Sequence, residues 1–210
     1  MDFSDAPQIG VWASDRDCYE LIAEHCRPGF RTLETGSGLS TVLFTALATT
    51  HTCVTPAQEE VDRITAYCTA QGIDTSALRF AIGCSDDVLP GLRGNFDVFL
   101  VDGNHGFPTP ILDWYYGGSL LVDGGLLIVD DLQLPAVAEL RRFLDRDPRW
   151  TPVRRSPKWA AWRRVGSGSL CQDWFDQPHY AEVRPLHRRA LGKVRRGYRM
   201  LRRRSATDPA

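Results

Sequence analysis

No stretch of about 18 consecutive apolar residues occurs in this chain, so a membrane-spanning helix is not expected. The opening residues, Met1-Asp2-Phe3-Ser4-Asp5, lack the basic start and apolar core of a secretory signal. A cytoplasmic protein is the expectation. None of the cysteines (18, 26, 53, 68, 84 and 171) falls in C-x-x-C spacing. That argues against a zinc or disulfide framework and for buried free thiols in a reducing compartment. Internal repeats and low-complexity tracts are also missing, which excludes a solenoid. Acid is scarce at one end only. Residues 184–210 carry 10 Lys and Arg against one acid, Asp208, whereas residues 1–183 carry 15 against 25. The net charge of −1 therefore hides an acidic body and a basic tail.

The chain has 210 residues, 43% of them hydrophobic and 24% charged, enough for one large domain with a sizeable core. Residues 1–14 read as irregular. Ser14-Asp15 can cap a helix running to about Cys26. Strands are expected at Phe30–Glu34, His51–Val54, Leu78–Ile82, Phe96–Val101 and Leu126–Val129. Helices are expected at Leu39–Thr49, Glu59–Gln71, Thr109–Leu121 and Ala136–Leu144, and two last strands, an antiparallel pair, at Trp150–Val153 and Ala160–Val165. Phe96–Val101 is nearly all apolar, as strands buried on both faces of a parallel sheet are. Alternating strands and helices with short links define an α/β, Rossmann-like, doubly wound and mostly parallel sheet with helices on both faces. The domain should span residues 15–180, followed by the tail at 181–210.

The sharpest local signal is Glu34-Thr35-Gly36-Ser37-Gly38, which joins the first strand to the helix behind it. Two glycines two apart allow a sharp turn and a close approach to a ligand. The helix N-terminus adds free N–H groups and a positive dipole end. Glu34 would repel a phosphate and suits a ligand bearing an ammonium or hydroxyl group. A dinucleotide fingerprint requires a third glycine where Thr41 stands, and an acid after the second strand, which ends in Thr55-Pro56. The alternative is a plain strand-to-helix turn that uses glycine for geometry.

Ligands of open parallel sheets bind beyond the carboxyl ends of the strands. Those ends read Glu34–Gly38, Thr55, Gly83-Cys84-Ser85-Asp86, Asp102-Gly103-Asn104-His105 and Asp130-Asp131. Asp102, Asp130 and Asp131 can converge on a hard divalent cation such as Mg²⁺. His105 can serve as a general base near neutral pH. The competing reading makes each of these residues a helix cap or loop polar group.

Three segments together resemble a known family. Glu-Thr-Gly-Ser-Gly after strand 1, Val-Asp-Gly-Asn-His after strand 4 and Gly-Gly-Leu-Leu-Ile-Val-Asp-Asp on strand 5 look like a class I S-adenosylmethionine-dependent methyltransferase. Within that class the chain is similar to small-molecule O-methyltransferases of the catechol and antibiotic-sugar types, over about residues 15–166. The resemblance implies S-adenosyl-L-methionine as cofactor, held by Glu34, Thr35, Gly36, Ser37, Gly38, Ser40, Thr55, Cys84, Ser85 and Asp102. It implies Asp102, Asp130 and Asp131 as ligands of a Mg²⁺ ion, with Asp102 and His105 as catalytic residues. Two departures stand out. Thr55-Pro56 replaces the usual ribose-binding acid, and Asn104 stands where sugar-type enzymes carry an acidic base, leaving His105 as substitute. The alternatives are a metal-free or N-directed methyltransferase using His105, and a non-catalytic protein of the same fold acting through its tail.

Gly106-Phe107-Pro108-Thr109-Pro110, with Asp113, Trp114, Tyr115 and Tyr116, can line an aromatic pocket for a small-molecule acceptor. Alternatively, Trp114 and Tyr115 simply cover the sheet. In the tail, Leu186, Ala190, Val194, Tyr198 and Leu201 recur at helical spacing among arginines. Such a helix suits docking on the acidic body, a homodimer, or an anionic membrane surface, which would place the protein at the membrane periphery. Nucleic acid is the weakest of these expectations, since no RNA-binding motif accompanies it.

Overall fold

A computed structural model describes residues 13–173 and 177. The first of two units spans Met1–Cys171 and holds every regular element among the described residues. The second, Gln172–Ala210, is almost wholly outside the described residues, and so is the expected amphipathic tail helix. The irregular start at residues 1–12 is outside them too.

Seven strands form one sheet: β1 (Arg31–Thr35), β2 (Thr50–Thr55), β3 (Leu78–Ile82), β4 (Phe96–Val101), β5 (Leu121–Val129), β6 (Trp150–Arg155) and β7 (Ala160–Arg164). Their order is β3-β2-β1-β4-β5-β7-β6. The four pairings among β1 to β5 are parallel, and β7 lies antiparallel to both β5 and β6. Helices α1 (Arg16–His25), α2 (Leu39–Ala46), α3 (Gln58–Ala70), α4 (Ser85–Val88), α5 (Thr109–Ser119) and α6 (Pro135–Leu144) link them. The expected Rossmann-like α/β sheet with an antiparallel final pair is the observed fold. Among the described residues no helix is long and apolar enough to cross a membrane.

Strand periodicity explains the two layers. In β4 and β5, Phe99, Val101, Leu127 and Val129 join one core with Trp114, Val137 and Leu140. Their neighbours Val98, Leu100, Leu126 and Ile128 face the other way, into a core with Leu21, Ile22, Leu43 and Phe44. Alternating side chains thus reach helices on both faces, and both strands read as continuous apolar runs for that reason.

Several boundaries differ from expectation. Helix α2 stops at Ala46 rather than Thr49. Ala48 takes a left-handed φ of 55°, and the Thr49 hydroxyl donates to Phe44 O at 2.9 Å. Strand β5 begins at Leu121, ahead of the expected glycine turn, because Leu121 already pairs with Phe96 before the register shifts. Ser14 makes no cap bond to α1. Its hydroxyl donates instead to Asp130 Oδ2. Four of the six free cysteines are buried, but Cys84 and Cys171 are exposed, against the expectation of buried thiols.

Candidate active site

Parallel pairing lays three strand ends side by side. Thr35 is in register with Val101, and Val101 with Val129, so the next residues, Gly36, Asp102 and Asp130, share one edge. The chain ends there are tied by backbone bonds, Asp102 N–H to Thr35 O at 3.1 Å and Asp130 N–H to Val101 O at 3.1 Å.

Gly36 has φ +90°, and a Cβ on it would collide with the carbonyl oxygen of Asp102. Gly38 differs, because a Cβ there meets nothing within 4 Å. The first glycine therefore allows the β1 and β4 loops to touch, and the second leaves room for a ligand beside α2. Glu34 is 1% exposed. Its Oε1 accepts from the Thr41 hydroxyl and faces His51 Nε2 at 2.9 Å. His51 in turn meets the Thr32 hydroxyl at 2.8 Å through Nδ1 and stacks on Phe44. Thr41 Oγ1 accepts the Gly38 N–H at 3.1 Å. This buried chain braces the glycine loop from beneath, so half of Glu34 serves the protein rather than an ammonium. Glu34 Oε2 and Thr35 Oγ1 have no partner, and buried polar atoms of that kind are what a polar ligand satisfies. Loop, open face and orphaned oxygens together fit an amino-acid-bearing cofactor.

Other expected contacts are distributed unevenly. Thr55 Oγ1 accepts from the Ser37 hydroxyl at 3.0 Å and from Ala57 N–H at 3.3 Å, so it shapes the loop. Ser40 is buried on α2. Ser85 is buried at the start of α4, next to exposed Cys84.

The acidic cluster is rearranged from the expected trio. Ligand atoms of Asp102, His105 and Asp131 lie within 4.8 Å of one another. Asp130 faces elsewhere: Oδ1 accepts from Asp131 N–H at 2.9 Å and Oδ2 from Ser14. His105 Nε2 sits 3.4 Å from Asp131 Oδ2 and 3.7 Å from Asp102 Oδ1. Burial pushes the Asp102 carboxyl up to about 6, and His105 offsets part of that. Asp102 in turn holds the His105 imidazole above its usual value. Asp131 has a left-handed φ of 56°, a conformation that costs energy in a non-glycine residue and clusters at functional sites. Asn104 Oδ1 merely accepts the Gly106 N–H at 2.8 Å.

Two residues of this region, His51 and Lys158, were not recognised in the sequence. His51 was read only as the start of a strand. Lys158, on the β6–β7 turn, places Nζ 3.8 Å from both Asp130 Oδ2 and Asp131 Oδ1. Asp113 was assigned to the acceptor pocket, but it is fully buried on α5 with neither oxygen hydrogen-bonded. Trp114 likewise belongs to the core, near Phe143 and Trp150, whereas Phe107 is 77% exposed.

Burial raises the Asp113 carboxyl above its ordinary range. The sign follows from proton linkage. A raised native pKa means the folded state holds the proton longer, so stability falls as pH rises above the ordinary carboxyl range. Asp113→Asn keeps the shape and removes the charge, so it should raise stability at neutral pH. Melting curves at acid and neutral pH check this. A gain at neutral pH that vanishes in acid is expected, and a loss at neutral pH would contradict it.

Residues 33–132 match the model of a family described as a methyltransferase domain. No curated protein matches the sequence significantly. Among solved structures, the O-methyltransferase TomG of Streptomyces achromogenes, involved in tomaymycin synthesis and bound to S-adenosylmethionine, is 18% identical with a TM-score of 0.61. The match covers 74% of this chain and 82% of that one. The methyltransferase PaMTH1 of Podospora anserina, bound to S-adenosylhomocysteine, is 18% identical at TM-score 0.58, covering 72% and 80%. An rRNA methylase of Streptococcus thermophilus is 14% identical at TM-score 0.56, covering 74% and 99%. The family match over residues 33–132 and the likeness in fold point the same way, to a methyltransferase domain. Identities this low carry the fold and not the acceptor.

Proposed function

We propose that the protein methylates an oxygen of a small-molecule acceptor, with His105 as the base. The observation that supports this most is the convergence of Asp102 and Asp131 on His105 beside the glycine loop. Bound on Gly36–Gly38, S-adenosylmethionine supplies a methyl group on a positively charged sulfur. His105 turns Nε2 to the two carboxylates, which leaves Nδ1 to take the proton of an acceptor hydroxyl. The exposed Phe107 ring stands two residues away, in position to pack on an aromatic or sugar acceptor.

A screen of phenol and sugar acceptors with cofactor labelled on the methyl group tests this reading. His105→Ala should lower turnover about 10²–10⁴-fold, the worth of a positioned acid–base group. S-adenosylhomocysteine affinity should stay nearly unchanged. Because Asp102 raises the imidazole pKa, turnover should climb as pH rises past the ordinary histidine range. Label on nitrogen products alone would favour N-directed transfer.

A second reading, a divalent cation on Asp102, His105 and Asp131, follows from their convergence. The nitrogen ligand suits a transition metal better than Mg²⁺, which prefers an all-oxygen shell. Loss of turnover in chelator would favour it. An association role for the basic tail, by docking on the acidic body, as a homodimer or at a membrane surface, stays a proposal for residues 184–210. Truncation after Val183, followed by sedimentation and liposome flotation, tests it.

A further inference from the structure

We infer that Lys158 is the site's resident cation: its ammonium neutralises Asp130 and Asp131 and keeps a divalent metal out. This rests on the methyltransferase reading of the site only for its purpose, not for its geometry.

All four carboxylate oxygens of the pair already face protein groups. Asp130 Oδ1 takes the Asp131 N–H at 2.9 Å, and Oδ2 takes the Ser14 hydroxyl and faces Lys158 Nζ at 3.8 Å. Asp131 Oδ1 takes Gln133 Nε2 at 2.8 Å and faces the same ammonium at 3.8 Å, and Oδ2 faces His105. A metal would have to displace these partners and sit beside a fixed positive charge.

Lys158 is not a free surface lysine. Its Nζ donates to Ala13 O at 2.7 Å, its N–H to Ser156 Oγ at 3.1 Å, and its carbonyl accepts Leu132 N–H at 2.6 Å. The next residue, Trp159, is fully buried and donates Nε1–H to Asp17 Oδ1 at 2.8 Å. The turn, the segment before α1 and the end of β5 therefore hold the ammonium in place. A long side chain usually loses much of its electrostatic value to its own freedom, and here that freedom is already restricted. Lys158 thus acts as a positioning residue. It sets a positive charge 3.8 Å from Asp130 and Asp131, on the side where a metal would otherwise sit.

The test uses the full-length protein and Mn²⁺ alone, followed by electron paramagnetic resonance and calorimetry, with S-adenosylhomocysteine binding measured in parallel. Wild type and Lys158→Arg should bind no stoichiometric Mn²⁺. Lys158→Met, which keeps the stem and removes the charge, should bind it at least about tenfold tighter. Stoichiometric Mn²⁺ on the wild type would overturn the inference, and that measurement needs no variant to fold. Mn²⁺ on neither wild type nor Lys158→Met would overturn it too, because the lysine would then not be what excludes the metal. If no protein binds S-adenosylhomocysteine, the methyltransferase reading falls while the Mn²⁺ result still decides the role of Lys158.

Discussion

Gly36→Val should fail to fold stably, whereas Gly38→Val should fold and lose the cofactor. The two glycines lie in one loop but carry different constraints. Gly36 combines a φ of +90° with a Cβ position blocked by the Asp102 carbonyl, a backbone atom that cannot rotate away. Strain and overlap together should cost more than about 4 kcal/mol, at the extreme of single substitutions. The overlap at Gly36 is thus with the protein's own backbone and not with a cofactor. Gly38 is extended at φ 171°, which any residue tolerates, and its missing Cβ faces open space. Its N–H bond to Thr41 survives substitution. Gly38→Val should keep the melting temperature near wild type and weaken S-adenosylhomocysteine by about 100-fold, equal to about 2.7 kcal/mol. Circular dichroism melts and calorimetry on both variants decide. A stable Gly36→Val protein, or a Gly38→Val protein with full affinity, would show that the loop's open face lies elsewhere.

Much of this arrangement was legible in the sequence because its signals are local. Apolar runs such as Phe96–Val101 fixed the strands, glycine after Glu34 fixed the loop, and polar residues at strand ends fixed the edge at which ligands gather. What stayed hidden depends on register between distant segments. His51 meets Glu34 only because Thr32 pairs with His51 across two parallel strands, which puts the imidazole beside the next acid on that face. Lys158 reaches Asp130 only because β7 folds back antiparallel on β5. Ser14 carried the residue type of a helix cap, and tertiary contact with Asp130 overrode that propensity. Trp114 followed the presumed acceptor loop, but the face of α5 that carries it points to the core.

The buried pair beneath the glycine loop gives the second large effect. His51→Leu should lower stability by about 1–3 kcal/mol, the cost of leaving a buried hydrogen-bonding group without its partner. Both side chains are essentially inaccessible, at 0% and 1% exposure. Without the imidazole, Glu34 keeps only Thr41 on Oε1, and Oε2 already has no partner. The Glu34 side chain would then be buried with most of its lone pairs unmatched. A double variant, His51→Leu with Glu34→Met, removes both polar partners and replaces them with apolar volume. It should recover most of the lost stability, since replacing both partners of a buried hydrogen bond by apolar groups of similar shape is nearly neutral. It should not recover S-adenosylhomocysteine binding, because the oxygen left for a ligand's ammonium has gone with Glu34. Urea melts of the two single variants and the double variant give the coupling energy directly. Additive losses would mean that His51 and Glu34 act independently. Full cofactor affinity in the double variant would mean that the chain from Thr32 to Gly38 serves the fold and not the loop above it.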